Sequence, residues 1–287
     1  MYTLICEEAR KNSGLSQKEL DEYIEIAKSS ALLGGEILMK YYRKLNTINS
    51  KSNDGDLVTN ADIEAEKAIV SLLNKATPNI GIFAEEGGTS GPGSNLKWCI
   101  DPLDGTTNYA HGYPFFATSI GLTWNDNSIL GAIAVPFFSE LYWAVPGQGA
   151  YCNSTKIRVS SSKELKDSLL VTGFAYDRHT TIDNNYAEFC WLTHRTRGVR
   201  RAGAAAVDMA FVAKGIIDGY WERGLSPWDL AAGIPIVELA GGVIGDYKNE
   251  KFILSQGRII ATNPYIQKEL LSELSKVKPL ESTTYLS

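Results

Sequence analysis

Trp98–Pro114 reads WCIDPLDGTTNYAHGYP. An apolar run ends at Asp101, and Pro102 fixes φ and has no N–H, so a sharp turn is expected there. Asp104 follows, then Gly105, Thr106 and Thr107. Two carboxylates three residues apart on a rigid turn can converge on one hard cation. The carbonyl of Leu103 between them can point the same way. Gly105 permits close backbone approach. Thr106 and Thr107 place hydroxyls and N–H groups at an expected helix start, a geometry that suits an oxyanion.

Asp/Gly/Thr turns at strand ends are common. The specific string D-P-x-D-G-T is not: from ordinary residue frequencies it arises by chance in such a chain on the order of once in several thousand. Its i, i+3 spacing also differs from the D-x-D-G-T of phosphatases whose first aspartate is the nucleophile. An aspartyl-phosphate route is therefore the weaker alternative.

Further carboxylates follow the same logic. FAEEGG, Phe83–Gly88, ends a second apolar run and places Glu85 and Glu86 before glycines. In SPWDLAAGIPIVELAGG, Ser226–Gly242, Ser226 fits an N-cap, Pro227 position N1 and Asp229 position N3. Asp62 stands at N3 after Thr59. Acids in a first helical turn favour the macrodipole and need no other function. In combination, however, Asp62, Glu85, Asp101, Asp104 and Asp229 form an all-oxygen set. Such donors select Mg²⁺, Mn²⁺ or Ca²⁺ over zinc, and two such ions can clamp an in-line phosphoryl displacement.

Around these segments the chain alternates helical and strand patterns. A helix from Ser16 to Arg43 starts on the capping box Ser16/Glu19. Another runs from Thr59 to Pro78. IGIFA and KWCI read as buried strands. Between Phe115 and Ser160, the runs ATSIGLTW, SILGAIAV, ELYWAV, GAYC and KIRVS are separated by turn residues, the pattern of an antiparallel meander. LLVTGF, GVRRAG, IIDGYWE and RIIAT then alternate with helices at Tyr186–His194, Ala204–Lys214, Pro227–Ala240 and Pro264–Lys276. This mixture predicts a layered α/β sandwich. The polar stretch near Ser160–Lys166 divides it into residues 1–160, a metal- and phosphate-binding α+β part with Asp62, Glu85, Asp101 and Asp104, and residues 161–287, an α/β part that adds Asp229 and completes a substrate pocket.

Composition sets outer limits. The chain has 287 residues, 28 Lys+Arg against 33 Asp+Glu and a formal charge of −5, without the basic stripe of a nucleic-acid binder. No apolar run approaches the roughly 20 residues that span a bilayer, and the N-terminus lacks signal-peptide organisation. Cys6, Cys99, Cys152 and Cys190 are too dispersed for a zinc site or disulfide framework, as expected of a cytoplasmic protein. With only three histidines, a His-centred triad has little to draw on.

EEG from Glu85, DPLDGTTN from Asp101 to Asn108 and WDLAAGIPIVELAGG from Trp228 to Gly242 resemble the signatures of the inositol monophosphatase family. KSNDGDLVTNAD, Lys51–Asp62, is similar to another of its segments. The resemblance implies an αβαβα five-layer sandwich, a homodimer and lithium-sensitive, Mg²⁺-dependent hydrolysis of phosphate monoesters. It implies that Glu85, Asp101 and the carbonyl of Leu103 hold one ion, that Asp101, Asp104 and Asp229 hold a second, and that a third binds near Glu85. Thr106 and Asp62 would orient and deprotonate the attacking water, and the N–H groups of Gly105 and Thr106 would bind phosphate. Lys51, Glu86 and Thr107 are further candidates.

Asp104, Gly203, Ala204, Ala205 and Glu222 would face the alcohol half of the substrate. Arg200 and Arg201 fit either this pocket or pairing with surface acids. Thr107 stands where the nucleotide-bisphosphatase branch usually has lysine, which favours myo-inositol 1-phosphate. Histidinol phosphate and fructose 1,6-bisphosphate are the alternatives on this scaffold, and a non-catalytic binding protein is the alternative from another class.

Overall fold

The computed structural model describes residues 4–44, 48–50, 57–247 and 252–279. Five layers alternate helix and sheet. An eight-stranded sheet takes its strands from residues 81–156, ordered in space as 155–156, 149–152, 140–145, 127–135, 117–124, 96–104, 81–84 and 88–90. From residue 117 onward it is the antiparallel meander expected; Leu96–Asp104 extends it by pairing antiparallel with Ala117–Trp124, while Gly81–Ala84 runs parallel to Leu96–Asp104. A five-stranded sheet, ordered 198–200, 169–172, 219–222, 259–262 and 243–245, is parallel over its first three strands.

Helices Gln17–Tyr41 and Asn60–Ala76 form the first outer layer. Their Leu20, Ile24, Ala27, Ala31, Ile69 and Leu73 pack on Ile120, Leu122, Leu130 and Ala132 of the large sheet. The opposite face of that sheet, with Ile133 and Val135, meets a middle layer of helices Ala205–Ala213 and Gly233–Leu239. The middle layer also packs on Val171, Tyr220 and Ala261 of the small sheet. Leu192, Ile266 and Leu270, from helix Tyr186–Thr193 and the segment around helix Gln267–Leu274, close the far side over Leu170, Trp221 and Ile260. The period-two alternation of the strands thus feeds two cores from one sheet.

Both capping boxes form: Ser16 with Glu19, and Thr59 with Asp62. Three expectations need correction, and one element is new. The chain does not turn away after Asp101: the strand continues to Asp104 through a bulge. The helix expected over Pro227–Ala240 is two, Pro227–Leu230 and Gly233–Leu239. Pro235 has no N–H to give the Ala231 carbonyl, so the ladder breaks there. In KIRVS only Lys156 stays in the sheet, as part of Thr155–Lys156, and Val159 donates to the Ala240 carbonyl instead. A helix at Ile5–Ser13 was not expected. Its first N–H groups, of Ile5 and Cys6, are capped by the distant Glu238 carboxylate at 2.8 and 3.0 Å, a partner local sequence cannot reveal.

Two glycines decide how close the middle layer comes to the large sheet. A Cβ at residue 121 would lie 2.7 Å from Ala231, and one at residue 131 would lie 2.4 Å from the Ala232 carbonyl oxygen. The break after Leu230 therefore rests directly on sheet backbone. Phe83 and Trp228 add an edge-on ring contact at 5.1 Å between centroids. Together these contacts set Asp229 beside the end of strand Leu96–Asp104.

Candidate active site

The bulge solves a parity problem. In a regular strand, residues i and i+3 face opposite sides. Here Asp101 pairs with Ser119 and Asp104 with Ala117, so three steps on one strand match two on the other. The extra residue restores the phase, and both aspartates emerge on the face of Ser119 and Ala117. Asp101 supports the bulge by accepting from the Leu103 N–H at 2.9 Å.

Asp101, Asp104 and Asp229 then converge, each offering a carboxylate oxygen within 4.8 Å of the others. Glu85 follows strand Gly81–Ala84, its N–H donating to the Ile100 carbonyl at 3.1 Å. Its side chain shares a hydrogen bond with Asp101. Burial, then Glu85, Asp104 and Asp229, raise the Asp101 carboxyl well above its ordinary range. Burial, then Asp104 and Glu85, do the same for Asp229, although part of its surface opens to the neighbouring cavity. Carboxylates this close require either shared protons or cations between them. Oxygen donors without a histidine or thiolate among them fit magnesium.

Asp104 has a second task. It accepts from the N–H groups of Ala205 and Ala206 at 3.1 and 2.8 Å, capping helix Ala205–Ala213 across the layers. Burial pushes Asp104 up to about 7, against the opposing pull of these N–H groups.

Asp62 accepts from the Thr59 N–H and hydroxyl at 2.9 and 2.5 Å, and burial still pushes it up to about 6. The Thr106 hydroxyl lies 3.3 Å from Asp62 and 2.9 Å from the Leu103 carbonyl. It has one hydrogen to give, and the carbonyl is the nearer acceptor. Gly105 takes φ +87 to start the short helix Thr106–Ala110. The Glu86 N–H donates to Glu66 at 2.8 Å. Lys51 lies outside the described residues.

Asp104, Asp229, Gly105, Thr107, Gly203, Ala204, Ala205 and Glu222 all line one cavity of about 520 Å³. Asp62, Asp101 and Thr106 are buried. Glu222 is buried and accepts from the Tyr220 hydroxyl at 2.6 Å; burial pushes it up to about 7. The carboxyl ends of parallel strands Leu169–Thr172, Gly198–Arg200 and Gly219–Glu222 all reach this cavity, the usual place for a ligand in such sheets. The sequence reading missed the wall formed by Phe174, Ala175, Tyr176, Arg178 and Tyr186. The available signal was aromatic and basic residues just beyond a parallel strand.

Residues 19–278 match the model of the inositol monophosphatase family. The chain belongs to that family. It is 48% identical over 261 residues to an inositol-1-monophosphatase from Synechocystis sp., covering 91% of each chain. It is 41% identical to a Nus factor SuhB from Pseudomonas aeruginosa, over 89% of this chain and 97% of that one. The solved structure of an inositol monophosphatase from Anabaena (Nostoc) sp. superposes with a TM-score of 0.84 at 46% identity, over 91% of this chain and 98% of that one. The five-layer architecture is thus the family's fold, and the chain is a phosphatase of phosphate monoesters. No helix among the described residues is long and apolar enough to cross a membrane.

Proposed function

We propose that this phosphatase converts myo-inositol 1-phosphate and water to myo-inositol and phosphate, with two or three Mg²⁺ ions per site. The observation that carries the reading is the convergence of Asp101, Asp104 and Asp229 within 4.8 Å beside a cavity that Glu222 also lines. The likeness to the Synechocystis inositol-1-monophosphatase supports the substrate.

Glu85, Asp101, the Leu103 carbonyl, Asp104 and Asp229 are the ligands proposed for the ions. Magnesium, when bound, supplies positive charge to the phosphate and acidifies water. Gly105 and Thr106 hold phosphate oxygens through their N–H groups. Thr106 orients the attacking water and passes its proton toward Asp62, 3.3 Å away. Asp104 and Glu222 accept hydroxyls of the alcohol, while Gly203, Ala204 and Ala205 keep that wall low; Thr107, which also lines the cavity, is a further phosphate contact.

The alternatives are histidinol phosphate and fructose 1,6-bisphosphate. A homodimer in the cytoplasm, inhibited by lithium, is proposed from family membership. The division at residue 160 is proposed because one sheet draws only on residues 81–156 and the other only on 169–262.

Phosphate release from these three esters, with and without Mg²⁺, tests the reading. Faster release from inositol 1-phosphate than from the other two supports it; no Mg²⁺-dependent release from inositol 1-phosphate overturns it. Isotopically chiral phosphate in labelled water should invert, and retention would sink direct attack by water.

A further inference from the structure

The cavity that receives Asp104, Asp229 and Glu222 is also lined by Arg178 and Arg201. Arg178 lies on the segment between strand Leu169–Thr172 and helix Tyr186–Thr193. Arg201 directly follows strand Gly198–Arg200. Arg178 donates to the Ala175 carbonyl at 3.2 Å. The Arg201 guanidinium lies 5.9 Å from the Phe174 ring centre. It acts on the buried Glu222 and Asp208 at longer range. Among the described residues neither arginine forms an ion pair within 4.0 Å, whereas nearby Arg223 and Arg258 do.

That contrast arises from how the wall is tied down. Arg223, buried next to Glu222, grips Asp177 through both terminal nitrogens, at 2.6 and 2.7 Å. Arg258 takes Asp183. Asn185 donates to Thr172 and to the Gly173 carbonyl, both at 2.7 Å, and accepts from Trp221 at 2.7 Å. The two aspartates flanking Arg178 on its own segment are thus held by arginines from outside the segment. Its backbone is fixed, and its guanidinium has no carboxylate to satisfy. The arrangement offers two positive forks to a ligand whose reacting phosphate sits at the acidic cluster.

Resting on the location of the active site given above, we propose that Arg178 and Arg201 form a second anion subsite. A phosphate ester whose alcohol half carries a further anionic group, phosphate or carboxylate, then binds more tightly than its neutral counterpart. Arginine pairs with either anion through charge-assisted, often bidentate hydrogen bonds. Losing such bonds costs roughly tenfold or more in affinity.

Three esters that differ only at the sixth carbon give the test: glucose 1-phosphate, glucose 1,6-bisphosphate and glucuronic acid 1-phosphate. KM for Mg²⁺-dependent phosphate release, at low ionic strength, should be about tenfold or more lower for one or both anionic esters. Which of them gains tells phosphate from carboxylate. In Arg178→Gln/Arg201→Gln the ratio of anionic to neutral KM should rise toward one, and Arg178→Lys/Arg201→Lys should keep most of the difference. No difference in the unaltered enzyme, or one that survives the double glutamine variant, overturns the subsite. Inositol 1-phosphate is the control arm. No release from it while the sugar esters turn over removes the inositol reading alone, and the KM ratios still decide the subsite. No release from any ester overturns both.

Discussion

Ala232 lies directly on Gly131: a methyl group at residue 131 would come within 2.4 Å of the Ala232 carbonyl oxygen. This contact, with its neighbour between Gly121 and Ala231, seats the turn that carries Asp229 against the large sheet. Gly131→Ala must push that turn outward, since sheet backbone cannot yield. Overpacking of this kind costs about 1–3 kcal/mol. The Mg²⁺ concentration for half-maximal activity should rise several-fold as Asp229 leaves the cluster. A metal titration of the variant checks this. An unchanged half-saturation point, with reduced stability, would mean that Asp229 is placed by something else.

Asp101 and Asp104 have different second roles, so their amides should behave differently. Asp101 is crowded by Glu85, Asp104 and Asp229. Asp101→Asn should abolish Mg²⁺-dependent turnover while raising Tm in chelator, because a neutral amide needs no proton to sit among the other buried acids. Asp104→Asn should also abolish turnover, but its amide group faces the N–H donors of Ala205 or Ala206. Loss of part of that cap costs about 0.5–2 kcal/mol. Thermal melts in EDTA and a phosphate-release assay check both. Activity surviving Asp101→Asn would remove it from the metal site.

Glu222 links pH to stability with a definite sign. Its carboxyl titrates at an ordinary 4.5 when unfolded and is pushed up to about 7 by burial in the folded chain. Between those values the folded state holds a proton that the unfolded state has lost, so stability falls as pH rises. The contribution is intact below 4.5 and lost through about pH 7. Glu222→Gln should flatten this part of the Tm–pH curve, measured without metal. The same variant should raise KM for inositol 1-phosphate more than for an aryl phosphate, which offers no hydroxyls. Equal KM effects would take Glu222 out of the alcohol pocket.

Arg223 tests how the pocket wall is held. Its planar fork engages Asp177 through both terminal nitrogens and reaches Asp183 at 3.6 Å. Lysine keeps the charge but loses the fork. Arg223→Lys should raise KM for inositol 1-phosphate severalfold and leave kcat within about twofold, because the acids at the metal site do not contact Arg223. A fall in kcat at unchanged KM would mean that the segment acts on the chemical step.

What the sequence disclosed and what it concealed follow physical range. Capping boxes at Ser16 and Thr59 involve residues three apart, and both form as read. The meander announced itself through alternation and turn residues. Asp101 and Asp104 were legible as a pair, but the reason they face one way was not. A turn at Pro102 and a bulge across it give the same local signal, and only the pairing with Ser119 and Ala117 separates them. The helix at Ile5–Ser13 depends on Glu238, more than two hundred residues away. The pocket wall at 174–178 is held by Arg223, so its aromatic and basic residues hint at a surface beyond the strand but not at where that surface is placed.

Thr106 stands between two acceptors, the Leu103 carbonyl at 2.9 Å and Asp62 at 3.3 Å. If its hydroxyl only braces the bulge, removing it costs stability and little else. If it relays a proton from water to Asp62, removing it costs rate. Thr106→Val keeps the shape and deletes the hydroxyl. It should lower kcat by about a hundredfold or more, the usual scale for a lost proton-transfer group, with KM changed less. Thr106→Ser restores the hydroxyl and should recover kcat to within about tenfold. Asp62→Asn should resemble Thr106→Val in kcat, with an added loss of stability from the weakened Thr59 cap. A Thr106→Val enzyme that melts early but turns over normally would assign the hydroxyl to the bulge alone.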